Sequence, residues 1–199
     1  MPVSKITQQK LQTLATHFKQ ILEILDYDLT DRNLHDTPTR VAKLWLKELG
    51  KQSPTRKLFR VFPEEHSQMI CCIGHLTWTR CPHHLERVRL IVSIGYVPNG
   101  YVIGLSKLAR IADFYARGLV LQETYTDTLA EGLLVALKAK GVGVRVLGRH
   151  LCMRARGPKT SSVVATTALR GSFLDDPTTR EEFLACVTNG GKYETKRDV

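Results

Sequence analysis

Two short segments, residues 81–84 and 150–152, contain the side chains best suited to chemistry. Cys81 and His84 stand three positions apart, and Cys152 lies far downstream. Thiolate and imidazole are ligands that zinc prefers, and three protein ligands leave its fourth tetrahedral position open, as in catalytic zinc sites. We therefore predict one zinc ion, Zn²⁺, bound by Cys81, His84 and Cys152.

Each segment also contains a histidine that this ligand set does not use. Histidine is suited to acid–base chemistry near neutral pH, so His83 and His150 are the candidate acid–base pair. Taken alone, Cys81 with His84 would be interpreted as an inert cysteine beside a surface histidine. The second segment makes a metal site the better interpretation.

The remaining cysteines, Cys71, Cys72 and Cys186, belong to no such motif, and we predict that they are buried hydrophobic residues. Five cysteines, an odd number, in a chain without an apolar secretory leader favour free thiols and a metal over a disulfide framework. We expect a cytoplasmic protein. No apolar run approaches the roughly 20 residues that cross a bilayer, so we predict no membrane partner.

The composition is that of a globular chain, with 43% hydrophobic and 24% charged residues among 199. Its net charge of +10 predicts an anionic partner. Nucleic acid is the first hypothesis. However, the basic residues are dispersed and aromatic residues make up only 7%, which fits a small polyphosphate as well.

Hydrophobic periodicity predicts nine main elements in the order helix–helix–strand–strand–helix–helix–strand–strand–helix. This order indicates an α+β fold with an antiparallel four-stranded sheet, helices on one side and an N-terminal helical arm. We predict a helical region over residues 1–65, a catalytic domain over 66–190 and a flexible tail over 191–199.

Two predicted helix starts combine capping residues with cations. Thr37 is the predicted N-cap of one, with Pro38 at the first helical position. Arg40 and Lys43 follow on a shared face, where either Asp36 offsets their charge or an anion binds. Ser106 is the predicted N-cap of the other, ahead of Lys107 and Arg110. Free backbone N–H groups beside cations suit phosphate, although each pattern alone is also typical of a solvated helix face.

Local geometry brings the predicted ligands together. Pro82 removes a ladder donor after a strand and demands a turn, which lets Cys81 and His84 converge on one ion. Downstream, strand alternation places His150 and Cys152 on one face, and Arg156 as well if the strand continues.

Several spaced motifs resemble the type I GTP cyclohydrolase family in its own order. They lie at residues 37–43, 81–85, 96–100, 102–110, 122–123, 150–157 and 169–173. The resemblance extends over about residues 10–188. It implies the tunnelling fold, in which subunits join their sheets into a barrel and two stacked pentamers form a homodecamer with active sites at subunit interfaces.

The resemblance also implies the reaction, in which GTP and water give 7,8-dihydroneopterin triphosphate and formate in pterin and tetrahydrofolate biosynthesis. By motif match, zinc is bound by Cys81, His84 and Cys152, and His83 and His150 transfer protons. The matched positions at the guanine edge are Gln122 and Glu123. Those at the triphosphate are Ser106, Lys107, Arg110 and Arg156, joined by Arg40 and Lys43 from a neighbouring subunit. Ser106 is also matched to a catalytic position.

The chain departs from the family where Pro82 stands in place of the usual Glu. This departure keeps open a divergent paralogue that binds zinc and a purine nucleotide but has weak or altered activity. A zinc-stabilised nucleic-acid-binding protein is the third hypothesis, favoured only by charge.

Overall fold

The computed structural model describes residues 5–50 and 58–190 of the chain. Contacts between Cα atoms divide the chain into two compact units, Met1–Lys51 and Gln52–Val199. The predicted boundary at residue 65 stays a prediction, and the predicted tail over 191–199 lies outside the described residues. Within the described part, no helix is both long and apolar enough to cross a bilayer.

The first unit is a pair of helices, α1 (Lys5–Ile24) and α2 (Thr37–Leu49). They pack through an edge-to-face contact of Phe18 with Trp45, whose ring centroids are 5.1 Å apart. The N-cap of α2 is Asp36 rather than the predicted Thr37, because the helix begins one residue earlier than expected. Asp36 also pairs with Arg40 at 3.2 Å. The carboxylate therefore offsets the charge of that cation, which is the first of the two alternatives predicted for this helix start.

The second unit is built on a four-stranded antiparallel sheet in the order β2-β3-β5-β6. Its elements in chain order are β1 (Val61–Pro63), β2 (Ile70–Arg80), β3 (Arg87–Val97), β4 (Tyr101–Ile103), α3 (Leu105–Ala116), α4 (Gln122–Leu137), β5 (Gly141–His150), α5 (Leu151–Arg154), β6 (Val164–Gly171), α6 (Ser172–Asp175) and α7 (Pro177–Gly190).

Helices α3 and α4 cover one face of this sheet and form the main core. Alternate residues of β3 and β5, such as Leu90, Val92 and Val144, are fully buried against the helices. On the helices, Leu108 and Leu133 are equally buried. This alternation is what an antiparallel strand with one covered face requires. The predicted α+β class, four-stranded sheet and covering helices are confirmed.

A smaller cluster covers part of the opposite face at the end of the sheet far from the β2–β3 turn. Phe173 of α6 and Phe183 of α7 are fully buried, with ring centroids 5.3 Å apart. They lie over Gly95 and Gly143, where an added Cβ would come within 2.7 Å of a phenyl carbon. The two glycines therefore let the aromatic rings approach the strands.

Two local features differ from the sequence prediction. The last long strand before Cys152 ends at His150, and α5 begins at Leu151, so Cys152 lies on a helical turn and the strand does not continue to Arg156. In addition, β1 pairs with β4 in register Val61↔Ile103, a pairing that was not predicted. Strands of three residues are too short to show a period of two.

Candidate active site

The neighbouring strands β2, β3 and β5 bring the two predicted segments to the same end of the sheet. In the β2–β3 hairpin, Arg80 pairs with Arg87, so residues 81–86 form the connecting turn. The next residue of β3, Val88, pairs with His150, the last residue of β5. Segments far apart in sequence are therefore adjacent because their strands share β3 as a neighbour.

The turn after β2 has a fixed backbone. The Cys81 N–H donates to the Glu86 carbonyl at 2.9 Å, and the Leu85 N–H donates to the Cys81 carbonyl at 2.9 Å. Leu85 adopts a left-handed conformation with φ 57°, which is uncommon for a branched side chain. Pro82, which has no backbone N–H to donate, directly follows Cys81 in this turn. This turn holds Cys81 and the histidines that follow it at the strand end.

Cys81, His84 and Cys152 form the one group of three or more potential metal ligands within the described residues. One ligand atom from each lies within 4.8 Å of the others. Cys81 Sγ lies 3.8 Å from His84 Nδ1. A tetrahedral zinc ion with Zn–S and Zn–N distances of about 2.3 and 2.0 Å places sulfur and nitrogen ligands about 3.5 Å apart. The donor set therefore suits zinc, and the Cys81–His84 spacing is within about 0.3 Å of what a tetrahedral ion requires.

His83 is next to this cluster without belonging to it. Its Nδ1 is also 3.8 Å from Cys81 Sγ, but its side chain is exposed and its ring centroid lies 6.2 Å from that of His84. The buried Cys81 is 7% exposed, whereas both histidines are accessible. A water or substrate atom at the cluster would therefore be reached from the side of the histidines.

His150 lies beside Gln122, the first residue of α4. His150 Nε2 and Gln122 Oε1 are 2.9 Å apart. Gln122 is 2% exposed, and its amide nitrogen contacts Val146 O at 3.3 Å, Val164 O at 2.9 Å and Thr166 Oγ1 at 3.1 Å. The partners of Gln122 are therefore protein groups, and the role at the guanine edge stays a prediction.

At His150 and at Cys152, burial and a nearby charge shift the pKa in opposite directions. Burial lowers the pKa of His150, and the nearby Glu123 carboxylate opposes this change. Burial and the neighbouring Cys81 raise the pKa of the Cys152 thiol, whereas the Arg156 cation opposes the rise. Glu123 and Arg156 thus lie within electrostatic range of the predicted acid–base and ligand residues.

Glu123 also lines an open groove between α4 and β6. The groove has a volume of about 470 Å³, and its other lining residues include Thr126, Asp127 and Thr166. Glu123 itself is exposed in the first turn of α4. A carboxylate that faces a polar groove is available to a ligand with N–H donors.

The predicted phosphate residues of α3 lie at the other end of the sheet. This helix follows β4, where the Ile103 N–H donates to the Tyr96 hydroxyl at 3.3 Å, and Tyr96 is near the end of β3 distant from Cys81. Ser106, Lys107 and Arg110 therefore do not lie beside the cluster in one chain. Nor is Ser106 the N-cap, because Gly104 occupies that position and no side chain caps the helix.

Sequence analysis did not identify three further residues at the site. Gly148, Thr126 and Thr166 surround the Gln122 amide. A glycine within a strand is a recognised sign of close approach and could have indicated Gly148. The threonines have no comparable signal, since their hydroxyls meet only when α4 packs on β6.

A family model described as GTP cyclohydrolase I matches residues 14–188 of the chain. The chain belongs to this family. The GTP cyclohydrolase 1 of Coxiella burnetii is 38% identical over 180 residues, which is 88% of this chain and 97% of that protein. The GTP cyclohydrolase 1 of Rattus norvegicus is 38% identical over 181 residues, which is 89% of this chain and 75% of the rat protein.

A crystal structure of the archaeosine synthase QueF-Like in the apo form also matches, with 19% identity and a TM-score of 0.44. The match covers 54% of this chain and 96% of that chain. The predicted resemblance to GTP cyclohydrolase I is confirmed by the family match and the two relatives together.

Proposed function

We propose that this GTP cyclohydrolase family member is a cytoplasmic, zinc-dependent enzyme that converts GTP and water to 7,8-dihydroneopterin triphosphate and formate. The observation that carries the proposal is the cluster of Cys81, His84 and Cys152 within 4.8 Å. Three ligands of the type that zinc prefers leave a coordination position open. Zinc bound there would act as a Lewis acid and lower the pKa of a water molecule to about 7.

The remaining chemistry falls to side chains of the chain itself. Loss of formate from the purine requires proton transfers at ring nitrogens, and His83 and His150 flank the ligand cluster on its two segments. Histidine is suited to both directions of transfer near neutral pH. Exposure of His83 allows a purine to approach the cluster.

Glu123 would provide the base preference. A carboxylate accepts hydrogen bonds from the guanine N1–H and 2-amino groups, but it repels the N1 lone pair of adenine. Glu123 is exposed in the first turn of α4 and lies within electrostatic range of His150, which supports this role.

The triphosphate would be held at an interface between copies of the chain. Arg156 is beside the cluster, whereas Ser106, Lys107 and Arg110 lie near the other end of the sheet. A second copy that offers its α3 start to the first copy's cluster would complete the site. We propose a homodecamer of two stacked pentamers, with Arg40 and Lys43 also supplied across an interface. Light scattering should then give about 224 kDa, ten times the 22.4 kDa chain mass.

One incubation tests the reaction. Purified protein loaded with zinc is mixed with GTP, formate release is measured, and pterin fluorescence is recorded after oxidation. We expect both products in equal amounts, and none with ATP. Formation of neither product, with zinc and GTP both bound, would contradict the proposal.

A substitution tests the base preference separately. Glu123→Gln should reduce the ratio of kcat/KM for GTP over other purine triphosphates by about 100-fold, because one of the two guanine N–H groups then faces an amide N–H instead of an acceptor. Glu181→Gln on the exposed face of α7 serves as the control. Unchanged GTP affinity in Glu123→Gln would show that Glu123 does not recognise guanine.

The second candidate function is that of a divergent paralogue that binds zinc and a purine nucleotide but turns over slowly. Pro82, in place of the usual carboxylate beside the ligands, is the observation that favours it. Groups next to metal ligands typically change affinity or activity by about 10- to 100-fold. Pro82→Glu should then raise formate release well above that of the unmodified chain. A decrease in this variant would favour the first candidate.

A further inference from the structure

The buried amide of Gln122 has a fixed orientation. Its nitrogen faces the backbone carbonyls of Val146 and Val164, at 3.3 and 2.9 Å. Carbonyl oxygens only accept hydrogen bonds, so the end of the amide that faces them must be the NH₂ group. The opposite end, Oε1, is then directed at His150.

Two threonine hydroxyls reinforce this orientation. Thr126 Oγ1 donates its one hydrogen to the backbone carbonyl of Gln122 at 2.7 Å. In the 2.6 Å contact between Thr126 and Thr166, the donor is therefore the Thr166 hydroxyl. Thr166 Oγ1 in turn accepts from the Gln122 amide nitrogen at 3.1 Å. The hydrogen bonds run in one direction from the amide through both hydroxyls to the backbone of the same residue.

The consequence concerns His150. An amide oxygen has no hydrogen to donate, so the 2.9 Å contact between Gln122 Oε1 and His150 Nε2 requires a hydrogen on that ring nitrogen. We propose that Gln122 is a positioning residue that holds His150 in its Nε2–H tautomer, so that Nδ1 is the ring nitrogen that exchanges a proton with the substrate. The proposal rests on the proposed function for its catalytic part and on hydrogen-bond geometry for its structural part.

Gly148 supplies independent support, because it provides the space for this contact. A Cβ at residue 148 would lie 1.9 Å from Gln122 Oε1 and 3.1 Å from His150 Nε2. No side chain larger than hydrogen is therefore compatible with the observed pair. Gly148 on β5 and Gln122 on α4 belong to different elements, and both serve the same hydrogen bond.

This arrangement differs from the guanine-edge role predicted for Gln122. The NH₂ group of Gln122 faces two carbonyls and a hydroxyl, and the residue is 2% exposed, so the amide has no donor left for a purine. The two roles predict different effects on catalysis. Loss of a positioning contact lowers kcat with little change in KM, whereas loss of a contact made equally in ground and transition states raises KM.

The decisive measurement is the ¹⁵N spectrum of the histidine rings in zinc-loaded protein at pH 8. The chain has seven histidines, so comparison with His150→Asn assigns the signals of His150. We expect a protonated Nε2 and an unprotonated Nδ1. The opposite pattern in the unmodified protein would overturn the proposal.

Two substitutions break the contact from opposite sides. Gln122→Met removes the acceptor, and Gly148→Ala pushes the acceptor away while leaving Gln122 in the chain. Each should produce a mixture of the two tautomers and lower kcat by about 10- to 100-fold, with KM changed less than about 3-fold. The Gly148 variant should remain folded because the group displaced is the end of a side chain. An unchanged tautomer in Gly148→Ala, or a raised KM with unchanged kcat in Gln122→Met, would contradict the proposal.

A pair of threonines on α4 provides the matched control. Thr126 and Thr128 each donate to the carbonyl four residues earlier, at 2.7 Å. Only Thr126 is buried and connected to the amide network through Thr166. Thr126→Val should broaden or shift the His150 signals, and Thr128→Val should leave them unchanged. Equal effects from both variants would attribute the change to the helix rather than to the network.

The spectra and the activity separate the two proposals. If the unmodified protein releases no formate but shows the Nε2–H tautomer that Gly148→Ala disturbs, the proposed reaction fails and the positioning role of Gln122 stands. If formate is released while the tautomer is Nδ1–H, the reaction stands and the positioning role fails.

Discussion

The four-stranded sheet holds a pair of thiols near each of its ends, and the two pairs have opposite surroundings. Cys81 and Cys152 lie beside the β2–β3 turn, and His83 and His84 contact Cys81 there. The Arg156 cation is within electrostatic range of Cys152. Cys71 of β2 and Cys186 of α7 are in hydrogen-bond contact near the other end. Cys71 packs against the cluster of Phe173, Phe183 and Val187.

The neighbours of each pair decide its chemistry. Imidazole and guanidinium groups favour a thiolate and complete a ligand set. Apolar side chains disfavour it, and burial together with Cys186 raises the pKa of the Cys71 thiol to about 12. Sequence analysis predicted Cys71 and Cys186 as buried hydrophobic residues, and both are partly buried. Two neighbouring sulfurs therefore do not form a metal site unless further ligands join them.

The largest expected difference between the two pairs is in zinc retention. Cys152→Ala should abolish it, because two remaining ligands bind zinc too weakly to survive dialysis, and formate release should disappear as well. Cys71→Ala should retain one zinc per chain. Metal analysis of both purified variants checks this prediction. Full zinc occupancy in Cys152→Ala would contradict the ligand assignment.

The second difference is in alkylation. At pH 8 a thiol of pKa about 12 is about 1,000-fold less ionised than one of pKa about 9, so Cys71 should react with iodoacetamide about 1,000-fold more slowly than a free cysteine peptide. Peptide mapping by mass spectrometry measures the rate. Rapid modification of Cys71 in folded protein would show that its surroundings do not suppress the thiolate.

A third difference concerns the charge near the cluster. Arg156→Gln should raise KM for GTP by about 10-fold, the loss expected for one exposed charge-assisted contact to a phosphate. Arg154→Gln, an equally exposed change at the last residue of α5, is the matched control and should change KM less than about 2-fold. Steady-state formate release measures both. Equal effects would indicate a general influence of net charge.

The smallest difference is in stability at high pH. Because the pKa of Cys71 is raised in the folded protein, its contribution to stability is complete below pH 9 and is lost as the pH rises from about 9 to about 12. The melting temperature of the unmodified chain should therefore fall a few degrees more over this interval than that of Cys71→Ala. Thermal melts at several pH values test this. If the two proteins lost melting temperature in parallel as the pH rises, Cys71 would not be the cause of the loss.

Much of the sheet was predictable because its residues carry a regular signal. The strands Ile70–Arg80 and Arg87–Val97 are runs rich in β-branched and aromatic residues, and Pro82 and Pro98 follow their ends. The candidate ligands could be selected from the sequence because thiol and imidazole chemistry belongs to residue type. The boundary after His150 was not, because four residues of helix carry no periodicity.

The placement of the phosphate residues could not be derived from local pattern either. Lys107 and Arg110 resemble Arg40 and Lys43 as cations near a helix start, but β4 places the start of α3 near the sheet end distant from Cys81. Likewise, the sequence shows Gln122 only as the first residue of a helix. Its contacts with β5 and β6 arise when α4 packs on the sheet. Such partners are separated by tens of residues in the chain.

The amino-acid sequence by itself determined which atoms can bind a metal or move a proton, because that capacity belongs to residue type. It also determined the period of each long element, because side chains alternate or rotate with the backbone. Only the tertiary structure brings ligand atoms of Cys81, His84 and Cys152 within 4.8 Å of one another and packs Cys71 against an apolar cluster. It also decided that Gln122 faces His150, because strand pairing and helix packing set distances that spacing along the chain does not encode.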